Sequence, residues 1–143
     1  MPQGVKTYDP SKVNISWGGV PISGFAEGTF VNITPAEEAW VKVVGSDGSV
    51  TRVRVVNDTA RIVLTLKQSS ASNDFLSAIW KEDKRLGNRL EPFMLKDEMG
   101  TTKVLAEQAW IVGVSAVEYA KDLTSREWTL DTGKVDMDIG GNI

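Results

Sequence analysis

The chain has 143 residues, 41% hydrophobic and 24% charged, with 16 basic against 19 acidic side chains and a formal charge of −3. That balance fits one folded domain over 1–143 with a single core, and it excludes a disordered chain or a protein built mainly to grip phosphate backbones. The absence of cysteine and histidine removes disulfides, thiolate metal sites, the usual general base at neutral pH and the commonest transition-metal ligand. This leaves carboxylate, lysine or tyrosine chemistry open but makes an enzyme the weaker expectation, and no catalytic residue, metal or cofactor is assigned.

Residues 1–10 lack a charged stretch followed by an apolar run, so no secretion signal is expected. No run approaches the roughly eighteen apolar residues of a membrane span, so no membrane insertion is expected. Val13, Ile15 and Trp17 alternate with polar neighbours, the period of a half-buried strand. Gly18-Gly19 punctuates, and Pro21 confines the next short run to an edge or a turn. Residues 30–34 read as a further strand, after which Thr34, Pro35 and Glu37 carry the pattern of a capped helical turn.

Residues 40–44 and 50–56 read as the two arms of a hairpin, because Asp47-Gly48 lies between them and such a pair tolerates positive φ. In the second arm Arg52 and Arg54 alternate with Val53 and Val55, giving a basic face and an apolar face. No aromatic interleaves with the arginines, which argues against nucleic-acid binding and leaves a solvated face or a subunit contact. Residues 60–68 form another strand. Ser72-Asn73-Asp74 then supplies a cap and an acidic first turn, and Phe75, Leu76, Ile79 and Trp80 share one helical face. Lys81, Lys84 and Arg85 follow, and Gly87 stops the helix.

Strands are expected over 92–96, 102–114, 126–132 and 134–139, with Gly133 between the last two. Roughly eight or nine closely spaced strands and one helix imply a mainly β fold, a sandwich or a small barrel. The acid pairs Glu37-Glu38, Glu82-Asp83 and Asp97-Glu98 are sequence neighbours and diverge on any regular element, so none makes a shared acid/base site. Asp136 and Asp138 share one strand face and form an acidic stripe. The tryptophans at 17, 40, 80, 110 and 128 read as core or interface anchors.

Several stretches in order resemble the tail tube proteins of contractile-tailed bacteriophages. The first is Tyr8-Asp9-Pro10-Ser11-Lys12-Val13 with Trp17-Gly18-Gly19-Val20-Pro21-Ile22-Ser23-Gly24-Phe25. The second runs from Glu38 to Gly45-Ser46-Asp47-Gly48. Thr65-Leu66-Lys67-Gln68-Ser69-Ser70-Ala71-Ser72-Asn73-Asp74, entering the helix, is the most specific. Glu107-Gln108-Ala109-Trp110-Ile111, Arg126-Glu127-Trp128-Thr129 and Gly140-Gly141-Asn142 continue the series.

The resemblance implies two packed antiparallel sheets closing toward a barrel and flanked by one helix, similar in fold to type VI secretion tube proteins. It implies hexameric rings stacked head to tail into a hollow conduit for the genome. The implied partners are other copies of the chain, a contractile sheath, a tape-measure protein and baseplate or tail terminator proteins, with DNA passing through without specific binding. The implied place is the virion tail, assembled in the host cytoplasm. Trp40, Asp47, Gly48, Arg52 and Arg54 are then expected at an inter-ring contact, and Asp136 and Asp138 at the bore, where acids repel phosphate. Three rivals stand beside this reading: a β-sandwich binding module, such as a baseplate or carbohydrate-binding domain; a glycosidase using two carboxylates across a cleft; and a secretion-system tube.

Overall fold

The structure, a computed structural model, describes residues 4–143; residues 1–3 of the domain expected over 1–143 lie outside it. In chain order the elements are β1 (Val13–Trp17), β2 (Val20–Pro21), β3 (Val31–Pro35), β4 (Trp40–Val44), β5 (Val50–Arg54), β6 (Ala60–Lys67), α1 (Ser72–Leu86), β7 (Glu91–Asp97), β8 (Lys103–Val114), β9 (Ser125–Thr132) and β10 (Val135–Asp138). The architecture is mainly β, with two antiparallel sheets and one helix.

The large sheet runs β2-β1-β7-β8-β9-β6-β3, with β10 also on β8. Thr132 of β9 sits opposite Ala109 and Val135 of β10 opposite Ala106, so both strands hold one register along β8. The Gly133 amide bonds the Gln108 carbonyl at 2.8 Å across the gap. Physically β9 and β10 are one strand interrupted at Gly133-Lys134. Splitting it, together with the two-residue β2, lifts the strand count above the expected eight or nine.

The sheet curls strongly. β2 is an edge strand, yet shortly after Pro21 the chain reaches the other flank, where Phe25 bridges Leu66 of β6. Gly24 makes that crossing, with φ +73. A Cβ there would lie 2.5 Å from the Ser70 hydroxyl oxygen. Gly24→Ala is therefore expected to cost about 1–3 kcal/mol through left-handed strain and that clash, read as a lowered urea midpoint.

Among the described residues no ladder joins β2 to β3, so the expected closure toward a barrel is not completed within this chain. The expected packing of one sheet on another also needs correction. The second sheet is the β4-β5 ribbon alone, and every residue of it is exposed. What fills the core is the concave face of the large sheet with α1. Ile15, Trp17, Ile62, Leu64, Leu66, Phe93, Leu95, Val104, Ala106, Ala109, Ile111, Trp128 and Leu130 alternate onto that face, and Leu76 and Ile79 close it. The Trp17 indole donates to the Ala109 carbonyl at 3.2 Å and meets the Phe75 ring edge-on.

Two local expectations fail for a common reason. Thr34 starts no helical turn: β3 continues to Pro35, which pairs with Ala60, and the Thr34 hydroxyl donates to Asn32 Oδ1 at 2.7 Å. Ser72-Asn73 does not cap α1 either; the cap position is Ala71, without a side-chain bond. Instead Ser72 Oγ accepts from the Ser23 amide at 3.0 Å, and Asn73 Oδ1 accepts from the Trp128 indole at 3.0 Å. At Thr34-Pro35 long-range strand pairing claims the backbone, and at Ser72 and Asn73 distant partners claim the side chains, that local propensity would have spent on a helix end. Gly87 does end α1, at φ +66, with its amide bonding the Asp83 carbonyl at 2.7 Å.

Candidate self-assembly surface

The β4-β5 ribbon is the least self-sufficient part of the molecule. Its register pairs Trp40 with Arg54, Lys42 with Arg52, and Val41 with Val53. Direct partners share a face, so Trp40, Lys42, Arg52 and Arg54 occupy one side, and Val41, Val43 and Val53 the other. Those three valines are 49–51% exposed. A two-stranded ribbon with both faces bare is marginal in water, and its contiguous exposed valines form an apolar patch.

The basic face is not free of aromatics. The Arg52 guanidinium lies 3.8 Å from the centroid of the Trp40 ring, so the sequence-based objection to an interleaved aromatic is wrong for this face. Trp40 sits across the hairpin rather than along the strand, which periodicity within one arm could not reveal. Its stacking on Arg52 holds the guanidinium against the ribbon face. Arg54 fastens the ribbon root: it pairs with Asp58 at 2.9 Å and donates to the Ala39 and Val55 carbonyls. With both ionic partners exposed, that pair contributes at most about 1 kcal/mol; its effect is on the ribbon's orientation.

At the tip, Asp47 accepts from the Ser49 hydroxyl at 2.7 Å and from the Ser49 amide at 3.0 Å, and these bonds lower its carboxyl below the usual value. Only Gly48 of the Asp-Gly pair takes positive φ, +84. Asp47 therefore shapes the turn through its side chain rather than through its backbone.

Asp136 and Asp138 share the exposed convex face of the large sheet, while Val135 and Met137 turn to the other side. Across the ladder Asp136 faces Leu105 and Asp138 faces Lys103. Lys103 in turn faces Lys96. The acidic stripe is thus bordered by lysines. The same convex face carries the Arg61–Asp131 pair at 2.9 Å, which keeps the arginine further above its ordinary pKa.

An open cleft of about 750 Å³ lies at the ribbon root, lined by Glu37, Glu38, Asp58, Val135 and Met137 among others. Asp136 and Asp138 point away from it, so the stripe and the cleft form no common site. The other neighbouring acids are taken up in structure. Glu82 pairs with Arg89 at 3.4 Å, Asp83 accepts from the Arg89 amide at 3.1 Å, and Asp97 accepts from the Met99 amide at 2.9 Å. Among the described residues no three His, Cys, Asp or Glu side chains group as a metal site.

The curled antiparallel sheet with its flanking helix is a fold shared with solved chains of contractile injection systems, a tube terminating cap among them. The chain is 26% identical over 144 residues to "Structural protein ORF10" of Pseudomonas phage KPP10, an alignment spanning 95% of this chain and 83% of that protein. Among solved structures, the tube terminating cap of the anti-feeding prophage superposes with a TM-score of 0.63 at 10% identity, covering 96% of this chain and 95% of that one. A chain of the sheath-tube complex of the PVC extracellular contractile injection system, in its extended state, gives a TM-score of 0.59 at 13% identity, covering 92% and 91%. No family model matches the sequence. The proteins this chain resembles are structural components of phages and phage-like particles, not enzymes.

Proposed function

We propose that the chain is a tail tube subunit of a contractile-tailed phage, working as one domain over 1–143. Copies form hexameric rings; rings stack head to tail into a conduit for the genome, inside a sheath and in contact with tape-measure, baseplate and terminator proteins. Assembly takes place in the host cytoplasm, and the product is part of the virion tail. The observation that carries this reading is the β4-β5 ribbon, bare on both faces, on a fold of the tube class. Ring formation covers open strand edges that a lone chain leaves to aggregate.

In this assembly Trp40, Arg52 and Arg54, with the Asp47-Gly48 tip, contact the neighbouring ring, and the convex face bearing Asp136 and Asp138 lines the bore. Lysines beside those acids keep the wall close to neutral, which suits a channel that must not hold DNA.

Likeness to a tube terminating cap favours a second reading, in which the ring ends a tube instead of extending it. Electron cryomicroscopy of the concentrated protein tests both. Hollow stacked tubes with Asp136 and Asp138 at the bore are expected. Rings that never stack favour the terminator. Asp136 and Asp138 on the outer wall overturn the bore assignment.

A further inference from the structure

The chain's projecting apolar features leave opposite ends of β6. The ribbon departs at the Ala60 end, where Ala60 pairs with Pro35 and the Val55 amide bonds the Ala39 carbonyl. The loop 115–124, between β8 and β9, departs at the Lys67 end, where Lys67 pairs with Ser125 and the Gln68 amide bonds the Thr124 carbonyl. An eight-residue strand holds the two roughly 23 Å apart.

The loop is built to hold a shape. Gln68 Oε1 accepts from the Thr124 amide at 3.2 Å and from its hydroxyl at 2.8 Å. Arg126, 9% exposed, donates to the Glu118 carbonyl at 3.4 Å, and its guanidinium lies 5.3 Å from the Tyr119 ring centroid. This frame presents Val117, Tyr119 and Leu123 outward, 60–77% exposed. Val117 and Leu123, exposed on a loop framed in this way, have the character of a receiving surface.

Charge makes the two ends complementary. The ribbon carries Lys42, Arg52 and Arg54 against Asp47 alone, whereas the loop carries Glu118 and Asp122 against Lys121. We propose that the loop 115–124 is the seat for the β4-β5 ribbon of a second copy. Val44 and Val50, exposed on the same ribbon face as Arg52, pack on Val117 and Leu123, and Arg52 faces Glu118. A contact between different surfaces at opposite ends of one chain is heterologous, and each copy offers both halves, so it propagates without closing. This rests on the self-assembly reading above and adds which surface of a neighbour the ribbon meets.

The chain has no cysteine, so a double variant Val50→Cys, Val117→Cys holds only the two thiols of interest. Mild oxidation of the assembled protein, run on a non-reducing gel, is expected to give a ladder of multimers. Either single variant stops at the dimer. Assembled particles without a ladder overturn the seat, leave the tube reading standing and assign the loop to another partner. Failure of the parent chain to assemble at any concentration overturns both. If the cysteine variants do not assemble, charge reversal decides. Arg52→Glu is expected to raise the concentration needed for assembly about tenfold, and Glu118→Arg in the same chain to restore it; absence of restoration overturns the pairing.

Discussion

Replacing Val43 by aspartate is expected to abolish assembly while leaving the subunit folded. Val43 lies in β4 opposite Thr51 and is 51% exposed. Among the buried residues that make the core, none belongs to the ribbon. The lone chain therefore gains little from this side chain, and surface changes of this kind usually stay within about 0.5 kcal/mol. In an assembled state the same position is covered. Burying a valine contributes about 1.5–3 kcal/mol, and a carboxylate in its place adds a desolvation cost with no cation on that face to meet it. A loss of about 3 kcal/mol per contact raises the assembly threshold roughly a hundredfold or more. Light scattering against protein concentration reads the threshold, and circular dichroism reads the fold. Assembly of Val43→Asp at the parent's threshold would mean that the valine face stays in water.

Trp17→Ala is expected to have the opposite signature, a large loss of stability in the subunit itself. Trp17 is fully buried, bonds the Ala109 carbonyl through its indole, and lies edge-on to Phe75, so it ties β1 to both β8 and α1. Removing it leaves a cavity that the curled sheet cannot collapse into. Such truncations cost about 3–5 kcal/mol, a large fraction of the roughly 5–15 kcal/mol that holds a domain of this size. The melting temperature should fall by roughly 10–20 °C. Trp17→Phe keeps most of the bulk and loses the indole bond, so about 1–2 kcal/mol is expected. Urea unfolding of the pair separates the cavity from the hydrogen bond. A loss below about 1 kcal/mol for the alanine variant would place the core elsewhere.

The features legible from the sequence are those whose signals are local. Alternation located β1, richness in β-branched residues and leucine located β6, the Asp47-Gly48 turn located the β4-β5 hairpin, and helical spacing of Phe75, Leu76, Ile79 and Trp80 located α1. The illegible features depend on which strands meet. Trp40 beneath Arg52 is a cross-strand neighbour, set by register. Ser72 and Asn73 look like caps until Ser23 and Trp128, distant in the chain, claim them. That β9 and β10 are one strand follows from a shared partner in β8 and leaves no mark of its own.

The ribbon is the instructive case. Its alternation reads like that of any half-buried hairpin, and a sandwich was the natural expectation. Among the described residues nothing covers the valine face. The candidate surface was thus visible in the sequence as a pattern, but its exposure was not.

Sedimentation velocity of the purified chain across rising concentration tests most directly whether this fold is completed by copies of itself. Conversion of a slow monomer boundary into fast, open-ended species is expected, with a threshold that Val43→Asp removes. One slow boundary at every concentration, with the ribbon amides exchanging as freely in the most concentrated sample as in the most dilute, would contradict it.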